Sequence, residues 1–339
     1  MKNTMPRILI EAVVRRALKD AGDSPERSTR NLVDMALQFT QGKFQHRFFE
    51  TAHLMLKKEE SAFHKMIPDA VASIDQERLI GFGMNLGYNG CIAGAKIIRS
   101  IEKKEHFNIP WMITLVINGD DCLNRAEDYC AILEQGRPLG IYTWQIYACG
   151  QAQKIMPLIG KYPDYAFILY CAPGEITDAL LDEAESLHNL MIAVAYTQGA
   201  DDACQLLRQR RFLYSVYVPY GECDLPRIVS GEVLDDTEIL HPVFTAFLAD
   251  AGCPKAVREQ VYQYVSRTRT QQLYKTVPWD AVFDSRFVNG VISEDTCQAC
   301  FDGQGNLWMF REGPERMDYN IFRQPLREIL KQAFPKETP

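Results

Sequence analysis

The hydrophobic pattern divides the chain into a helical beginning, an alternating middle and a mixed end. Residues 5–75 repeat apolar positions at helical spacing and show no strand pattern. Between residues 79 and 218, short apolar runs alternate with five helical segments, which predicts parallel strands joined by helices. The six predicted strands are residues 79–84, 111–117, 141–147, 165–170, 190–196 and 213–218.

These runs are apolar almost throughout, which predicts a parallel sheet covered on both faces. Right-handed crossovers between such strands give a barrel, whole or partial, or an open doubly wound sheet. The remaining predicted elements are helices at 241–251 and 257–272, a β-hairpin within 291–311 and a helix at 320–334. The predicted regions are an N-terminal helical region (1–76), an α/β core (77–220) and a C-terminal α+β region (221–339).

Composition excludes several classes of partner. The net charge of −7 and the short, interrupted basic clusters argue against nucleic acid. No apolar run approaches the ~20 residues of a membrane-spanning helix, and the charged first 18 residues contain no signal-peptide core. The ten cysteines are scattered in apolar context, as expected of reduced thiols. We therefore predict a cytoplasmic protein that binds neither nucleic acid nor membranes.

The loops that follow the predicted strands are the candidate binding region, because ligands of parallel α/β folds bind there. Every such loop contains glycine, which fits a structural turn as well as a ligand site. Aromatic residues that cluster in or after the strands fit either core packing or a pocket. The predicted ligand-binding residues are Asn85, Tyr88, Asn89, Cys91, Asp120, Asp121, Tyr147, Cys149, Tyr196 and Tyr217.

Three segments, taken together, resemble the radical S-adenosylmethionine enzymes. That family carries C-x3-C-x2-C after its first strand, and Gly87, Cys91 and Gly94 have the same spacing. Its second strand leads to Gly-Gly-Glu-Pro, where this chain has Asn118-Gly-Asp-Asp, and residues 142–150 end like a later strand of the family. The resemblance implies a partial (β/α)6 TIM-like barrel with an N-terminal helical extension and a small C-terminal α+β region.

The cysteine motif departs from the family at two of its three positions. The resemblance implies a [4Fe–4S] cluster held by three thiolates, with S-adenosylmethionine on the fourth iron. Glycine offers no donor atom at Gly87 or Gly94, so we expect no cluster and no reductive cleavage of S-adenosylmethionine. Cys91 itself is either a thiol with a pKa lowered by a helix N-terminus or a small buried residue.

Two further groups have alternative roles. The resemblance implies that Asp120 contacts the amino group of the cofactor, whereas Asp120 or Asp121 would also suit a helix N-cap. Cys297 and Cys300 resemble the start of the SPASM-like tail found after many barrels of this family. They are the candidate metal ligands, although a tetrahedral site needs four donors and a remnant hairpin without metal fits the same residues.

We therefore predict a degenerate radical S-adenosylmethionine-like protein. It would bind a small molecule or a peptide at the carboxyl ends of the barrel strands, or act as an accessory to an active relative. One alternative is an enzyme that uses S-adenosylmethionine for polar transfer chemistry. Another is a structural or interaction protein in which the N-terminal helices dock onto a protein partner.

Overall fold

The computed structural model describes residues 5–20, 58, 60–293, 296–310 and 314–336. It is a mixed α/β fold built around one ten-stranded sheet. The strands are β1 (Met112–Ile117), β2 (Thr143–Ala148), β3 (Ala166–Cys171), β4 (Leu190–Ala195), β5 (Tyr214–Tyr220), β6 (Phe244–Ala249), β7 (Val277–Asp280), β8 (Ala299–Phe301), β9 (Asn306–Phe310) and β10 (Pro314–Asn320). Their order is β10-β9-β8-β1-β2-β3-β4-β5-β6-β7. The eight strands from β8 to β7 are parallel to their neighbours, and β9 and β10 add antiparallel pairs at one end.

Helices connect and cover these strands. They are α1 (Met5–Asp20), α2 (Phe63–Ser73), α3 (Gln76–Met84), α4 (Ala95–Glu105), α5 (Gly119–Asn124), α6 (Ala126–Leu139), α7 (Met156–Gly160), α8 (Asp178–Glu183), α9 (Ala200–Gln209), α10 (Leu225–Val229), α11 (Glu232–Glu238), α12 (Lys255–Gln271), α13 (Phe283–Ser293) and α14 (Leu326–Ala333). A π-helical stretch, Asn85–Gly94, joins α3 to α4 without a break. Among the described residues, no helix combines the length and apolar character needed to cross a bilayer.

The sheet separates two apolar cores. Ile113, Leu115 and Ile117 of β1 face the core formed with the flanking helices. The alternate positions face the opposite side, which we call the inner face and which includes Thr114 and its register neighbour Gln145. Because side chains of a strand alternate between faces, near-continuous apolar strands are needed to fill both cores.

Five of the six predicted strands are confirmed, and the prediction for residues 79–84 is wrong. These residues belong to α3, whose N-cap Asp75 accepts hydrogen bonds from the backbone N–H of Glu77 and Arg78. Phe82 packs against the inner face of the sheet, and Leu79 lies beside it. A short apolar run with glycine fits a buried helix as well as a strand, and here the cap and the packing favour the helix.

The C-terminal part contributes more to the sheet than the pattern predicts. The predicted helix at 241–251 is wrong, because its apolar run forms β6 between β5 and β7. The predicted hairpin is confirmed as β8 and β9, and the predicted helix at 257–272 as α12. The sheet thus continues past residue 220, where the core was predicted to end. Helices predicted between residues 21 and 57 lie outside the described residues.

Helix α13 lies between β7 and β8 in the chain and packs beside β1, the sheet neighbour of β8. It follows β7 at one end, yet Trp111, immediately before β1, donates from Nε1 to the Ser285 carbonyl at 3.3 Å. The Trp111 backbone N–H also donates to Asn289 Oδ1 at 2.9 Å. From α4, Arg99 Nε donates to the Ile292 carbonyl at 2.7 Å. Helix α13, which follows β7, therefore packs against α4 and the residue before β1, close to β8 at the other end of the parallel set.

Candidate functional site

The loops that follow β1 and β2 are joined at the carboxyl edge, by which we mean the edge where β1 to β7 end. Asn118 Nδ2 donates to the Cys149 carbonyl at 3.1 Å, and the Gly119 N–H donates to the Gly150 carbonyl at 3.0 Å. Asn118 Oδ1 also accepts from the Asp120 N–H at 2.9 Å and so caps α5. The predicted N-cap role of the aspartates is therefore wrong, because Asn118 fills it.

Both predicted aspartates lie on the surface of this edge. Asp120 is 59% exposed and accepts from Lys154 Nζ at 2.5 Å, and Asp121 is also exposed. An exposed ion pair of this kind contributes only about 0–1 kcal/mol. A ligand ammonium could therefore replace Lys154 as the partner of Asp120 at small cost.

Three tyrosines of the inner face form a contiguous group near this edge, which we call the tyrosine cluster: Tyr147, Tyr170 and Tyr217. The Tyr147 and Tyr170 rings stack at 5.2 Å between centroids, and Tyr217 lies 5.8 Å from Tyr147 and 5.2 Å from Tyr170. Burial raises the pKa of all three hydroxyls, so they stay protonated and neutral at physiological pH. The Tyr196 backbone is adjacent, since its N–H donates to the Tyr217 carbonyl at 2.7 Å, but the Tyr196 side chain packs against the apolar clusters on the opposite face of the sheet.

Two polar residues of the inner face extend the tyrosine cluster and were missed in the sequence. Thr114 Oγ1 donates to Gln145 Oε1 at 2.9 Å, and Gln145 Nε2 donates to the Tyr170 hydroxyl at 3.2 Å. Thr114 interrupts the apolar strand β1, and Gln145 interrupts the apolar run of β2 that follows Thr143. That interruption is the sequence feature that could have identified them, because an interior polar side chain needs partners.

The structure separates the predicted site residues into two groups. Asp120, Asp121, Tyr147, Cys149, Tyr196 and Tyr217 lie at or near the carboxyl edge. The segment that contains Asn85, Tyr88, Asn89 and Cys91 lies at the opposite edge, where the strands begin. Asn85 Nδ2 donates to the carbonyls of Pro163 and Tyr165, just before β3, and Asn89 Nδ2 donates to the Asp164 carbonyl.

The glycines and cysteine that resemble a cluster motif are therefore part of a helix rather than a loop after a strand. Gly94 packs so closely that a Cβ atom would lie 2.3 Å from the Gly140 carbonyl oxygen. Burial raises the pKa of the Cys91 thiol to about 12, which is opposite to the lowered pKa expected for a reactive thiol. The expectation that these residues follow a strand at the carboxyl edge is wrong.

The donor set of the described residues does not fit a three-thiolate cluster. No group of three histidine, cysteine, aspartate or glutamate side chains in that part of the chain is placed to hold a metal ion. Cys297 is buried and accepts a hydrogen bond from Asn289 Nδ2 at 3.1 Å. Cys300 lies in β8, and burial raises the pKa of its thiol to about 12.

Comparison with known proteins gives a likeness of fold. No protein-family model matches the sequence, and no curated protein matches it in sequence. Streptococcus suis SuiB bound to S-adenosylmethionine is similar at a TM-score of 0.50 with 10% identity, over 69% of this chain and 66% of that chain. A second SuiB structure is similar at 0.50 with 12% identity, over 89% of this chain and 81% of that chain.

A structure of anSMEcpe with bound AdoMet is similar at a TM-score of 0.40 with 9% identity, over 66% of this chain and 79% of that chain. In the comparison with the S-adenosylmethionine complex of SuiB, this chain spans 66% of the SuiB chain, slightly less than two thirds. The likeness to the two SuiB structures shows that the α/β fold described above is similar to the fold of SuiB.

Proposed function

We propose that the chain binds a small molecule at the carboxyl edge, beside the tyrosine cluster, and does so without an iron–sulfur cluster. The observation that carries the proposal is the group of three tyrosines on the inner face, close to the exposed Cys149. Asp120 lies in the loop after β1, which Asn118 joins to the loop of Cys149. We further propose that the parallel strands curl into a partial (β/α)6-type barrel. Helix α13 follows β7 and contacts Trp111, before β1, and Arg99 of α4, which supports this closure.

S-adenosylmethionine is the first ligand to test. Its sulfonium would be attracted to tyrosine ring faces, and its adenine could stack on them. Its ammonium could exchange with Lys154 at Asp120. The fold shared with SuiB, which was solved bound to S-adenosylmethionine, adds support.

We propose that the chain holds no iron–sulfur cluster because the described residues do not bring three donor side chains together. Gly94 is explained by close packing, so a glycine there says nothing about a lost thiolate. Anaerobic iron and sulfide analysis of the full chain tests this proposal, and stoichiometric iron and sulfide would contradict it.

Removing an aromatic face from the tyrosine cluster is expected to weaken binding of S-adenosylmethionine. Tyr217→Leu should raise the Kd about tenfold, because a cation–π or stacking contact contributes roughly 1–2 kcal/mol. Tyr217→Phe keeps the ring and should stay within about threefold of the parent chain on the same scale. The measurement is isothermal titration calorimetry with the full chain.

Tyr88→Leu is the matched control, because it removes the same ring at the opposite edge of the sheet. Its Kd for S-adenosylmethionine should equal that of the parent. No binding heat at millimolar ligand would reject S-adenosylmethionine as the ligand. Equal weakening by Tyr88→Leu and Tyr217→Leu would place the site elsewhere.

A further inference from the structure

A small cavity lies on the inner face where α13 meets β1 and the segment before β8. Its volume is about 20 Å³, which gives room for one water-sized group. Thr114 and Gln145 line it from the sheet, Ser285 lines it from α13, and Gln298 lines it from the segment before β8. We call it the seam cavity, since it lies between α13 and the strands β1 and β8.

Two buried polar atoms of the residues that line the seam cavity lack partners among the described residues. The Ser285 side chain is 2% exposed, and its Oγ makes no hydrogen bond within the protein. Gln298 Oε1 is also buried without a partner, although Gln298 Nε2 donates to the Val282 carbonyl at 3.2 Å. An unsatisfied buried polar atom costs roughly 1–3 kcal/mol. The cavity is therefore suited to a guest that satisfies both atoms.

The chemistry of the lining defines that guest. Gln298 Oε1 only accepts hydrogen bonds, whereas the Ser285 hydroxyl both donates and accepts. The lining contains no acidic or basic side chain, so a charged guest would lose its hydration without a counter-charge. A neutral hydroxyl meets all of these requirements, because it can donate to Gln298 and accept from Ser285.

We propose that the seam cavity is a hydroxyl-binding subsite at the deep end of the inner face. Thr114 and Gln145 connect it to the tyrosine cluster, because the hydrogen bond between them continues from Gln145 to Tyr170. A small molecule bound beside the tyrosines would place a hydroxyl group in the cavity. This proposal depends on the proposed function only for the identity of the larger molecule; binding of a hydroxyl group in the cavity does not depend on it.

Three small probes, each labelled at one carbon atom, test the subsite on the full chain by ligand-detected NMR. They are methanol, acetonitrile and methylammonium. Methanol both donates and accepts, acetonitrile only accepts, and methylammonium is charged. We expect saturation transfer to methanol alone. We expect it to fall about fivefold or more in Ser285→Ala and in Gln298→Leu, as the loss of one hydrogen bond predicts.

Ser230→Ala is the matched control, because Ser230 is exposed and its hydroxyl donates to the Arg227 carbonyl on a different element. It should retain the full methanol response. Similar responses to all three probes, no response to methanol, or a response unchanged by Ser285→Ala would overturn the subsite. Ser285→Ala removes a single oxygen, so it decides the question even if Gln298→Leu fails to fold. Because methanol is the probe, failure of S-adenosylmethionine to bind would reject the proposed ligand and leave this test intact.

Discussion

Alanine in place of Gly94 is expected to lower the free energy of unfolding by about 2–3 kcal/mol, the usual cost of overpacking. A Cβ atom there would lie 2.3 Å from the Gly140 carbonyl oxygen and 2.9 Å from that of Asn89. Both are backbone atoms and cannot rotate away. The helix would have to move from the entry to β2, which also displaces the Asn89 contact with the loop before β3.

Gly87→Ala provides the contrast within the same helical stretch. Gly87 is exposed, and a Cβ atom there meets nothing within 4 Å. Alanine should leave stability unchanged or raise it by up to about 1 kcal/mol through its better helix propensity. Urea denaturation of the two variants measures both effects. Equal destabilisation at the two positions would contradict the packing role of Gly94.

A variant that places cysteine at both Gly87 and Gly94 tests the cluster motif directly. The spacing of the family would be restored, yet the three thiols would lie in a helix at the edge where the strands begin. We expect this variant to be destabilised like Gly94→Ala and to take up no cluster during anaerobic reconstitution with iron and sulfide. An intact cluster in the variant would show that the helical stretch can rearrange into a metal-binding loop.

Stability is expected to fall as the pH rises from about 4 to above 7, because of one buried aspartate. Asp280 is 2% exposed, and burial raises its pKa from 3.8 to about 7. The folded chain therefore keeps a proton that the unfolded chain releases, so the stabilisation is complete below pH 4 and lost as the pH passes 7. A shift of this size corresponds to at most about 4 kcal/mol.

The surroundings of Asp280 explain the direction of the shift. Its carboxylate accepts from the backbone N–H groups of Val282 and Phe283, which favours the charged form. The neighbouring Asp284 carboxylate disfavours it, and Arg269 compensates little because it already makes two hydrogen bonds to Asp284. Desolvation dominates these contributions.

Asp280→Asn should remove this pH dependence, because an amide keeps an acceptor for the two N–H groups and does not titrate. The measurement is the free energy of unfolding from urea denaturation at pH 5, 6, 7 and 8. Relative to the parent chain, the free energy of unfolding of the variant should increase as the pH rises. Asp302→Asn is the control: hydrogen bonds from Trp308 and Asn306 lower the pKa of Asp302 from its ordinary 3.8. This variant should therefore be less stable than the parent chain by a constant amount from pH 5 to 8, and the difference should shrink only as the pH falls through the acid range. Parallel pH profiles for the parent and Asp280→Asn would contradict the prediction.

The local pattern identified most strands, because a strand covered on both faces must be apolar throughout, as β3 and β4 are. It failed at residues 79–84 and 241–251, where the apolar runs 79–84 and 244–249 each have six residues. One became α3 through the Asp75 cap and the contact of Phe82 with the inner face. The other became β6, because β5 and β7 supply hydrogen-bonding neighbours on both sides. Long-range pairing of this kind is not encoded in the period of a short segment.

By itself, the sequence determined that parallel strands alternate with helices and that polar and aromatic residues follow those strands. Tertiary structure decided which of these residues share an edge: it brought Tyr147 into contact with Tyr217, joined the loops of Asn118 and Cys149, and placed the helical stretch of Cys91 at the edge where the strands begin. It also brought Ser285 of α13 and Gln298, before β8, to one cavity, although neither belongs to a motif. The physical reason is that burial and hydrogen bonding between distant segments depend on how strands pair, whereas hydrophobic periodicity reports only the local preference of each segment.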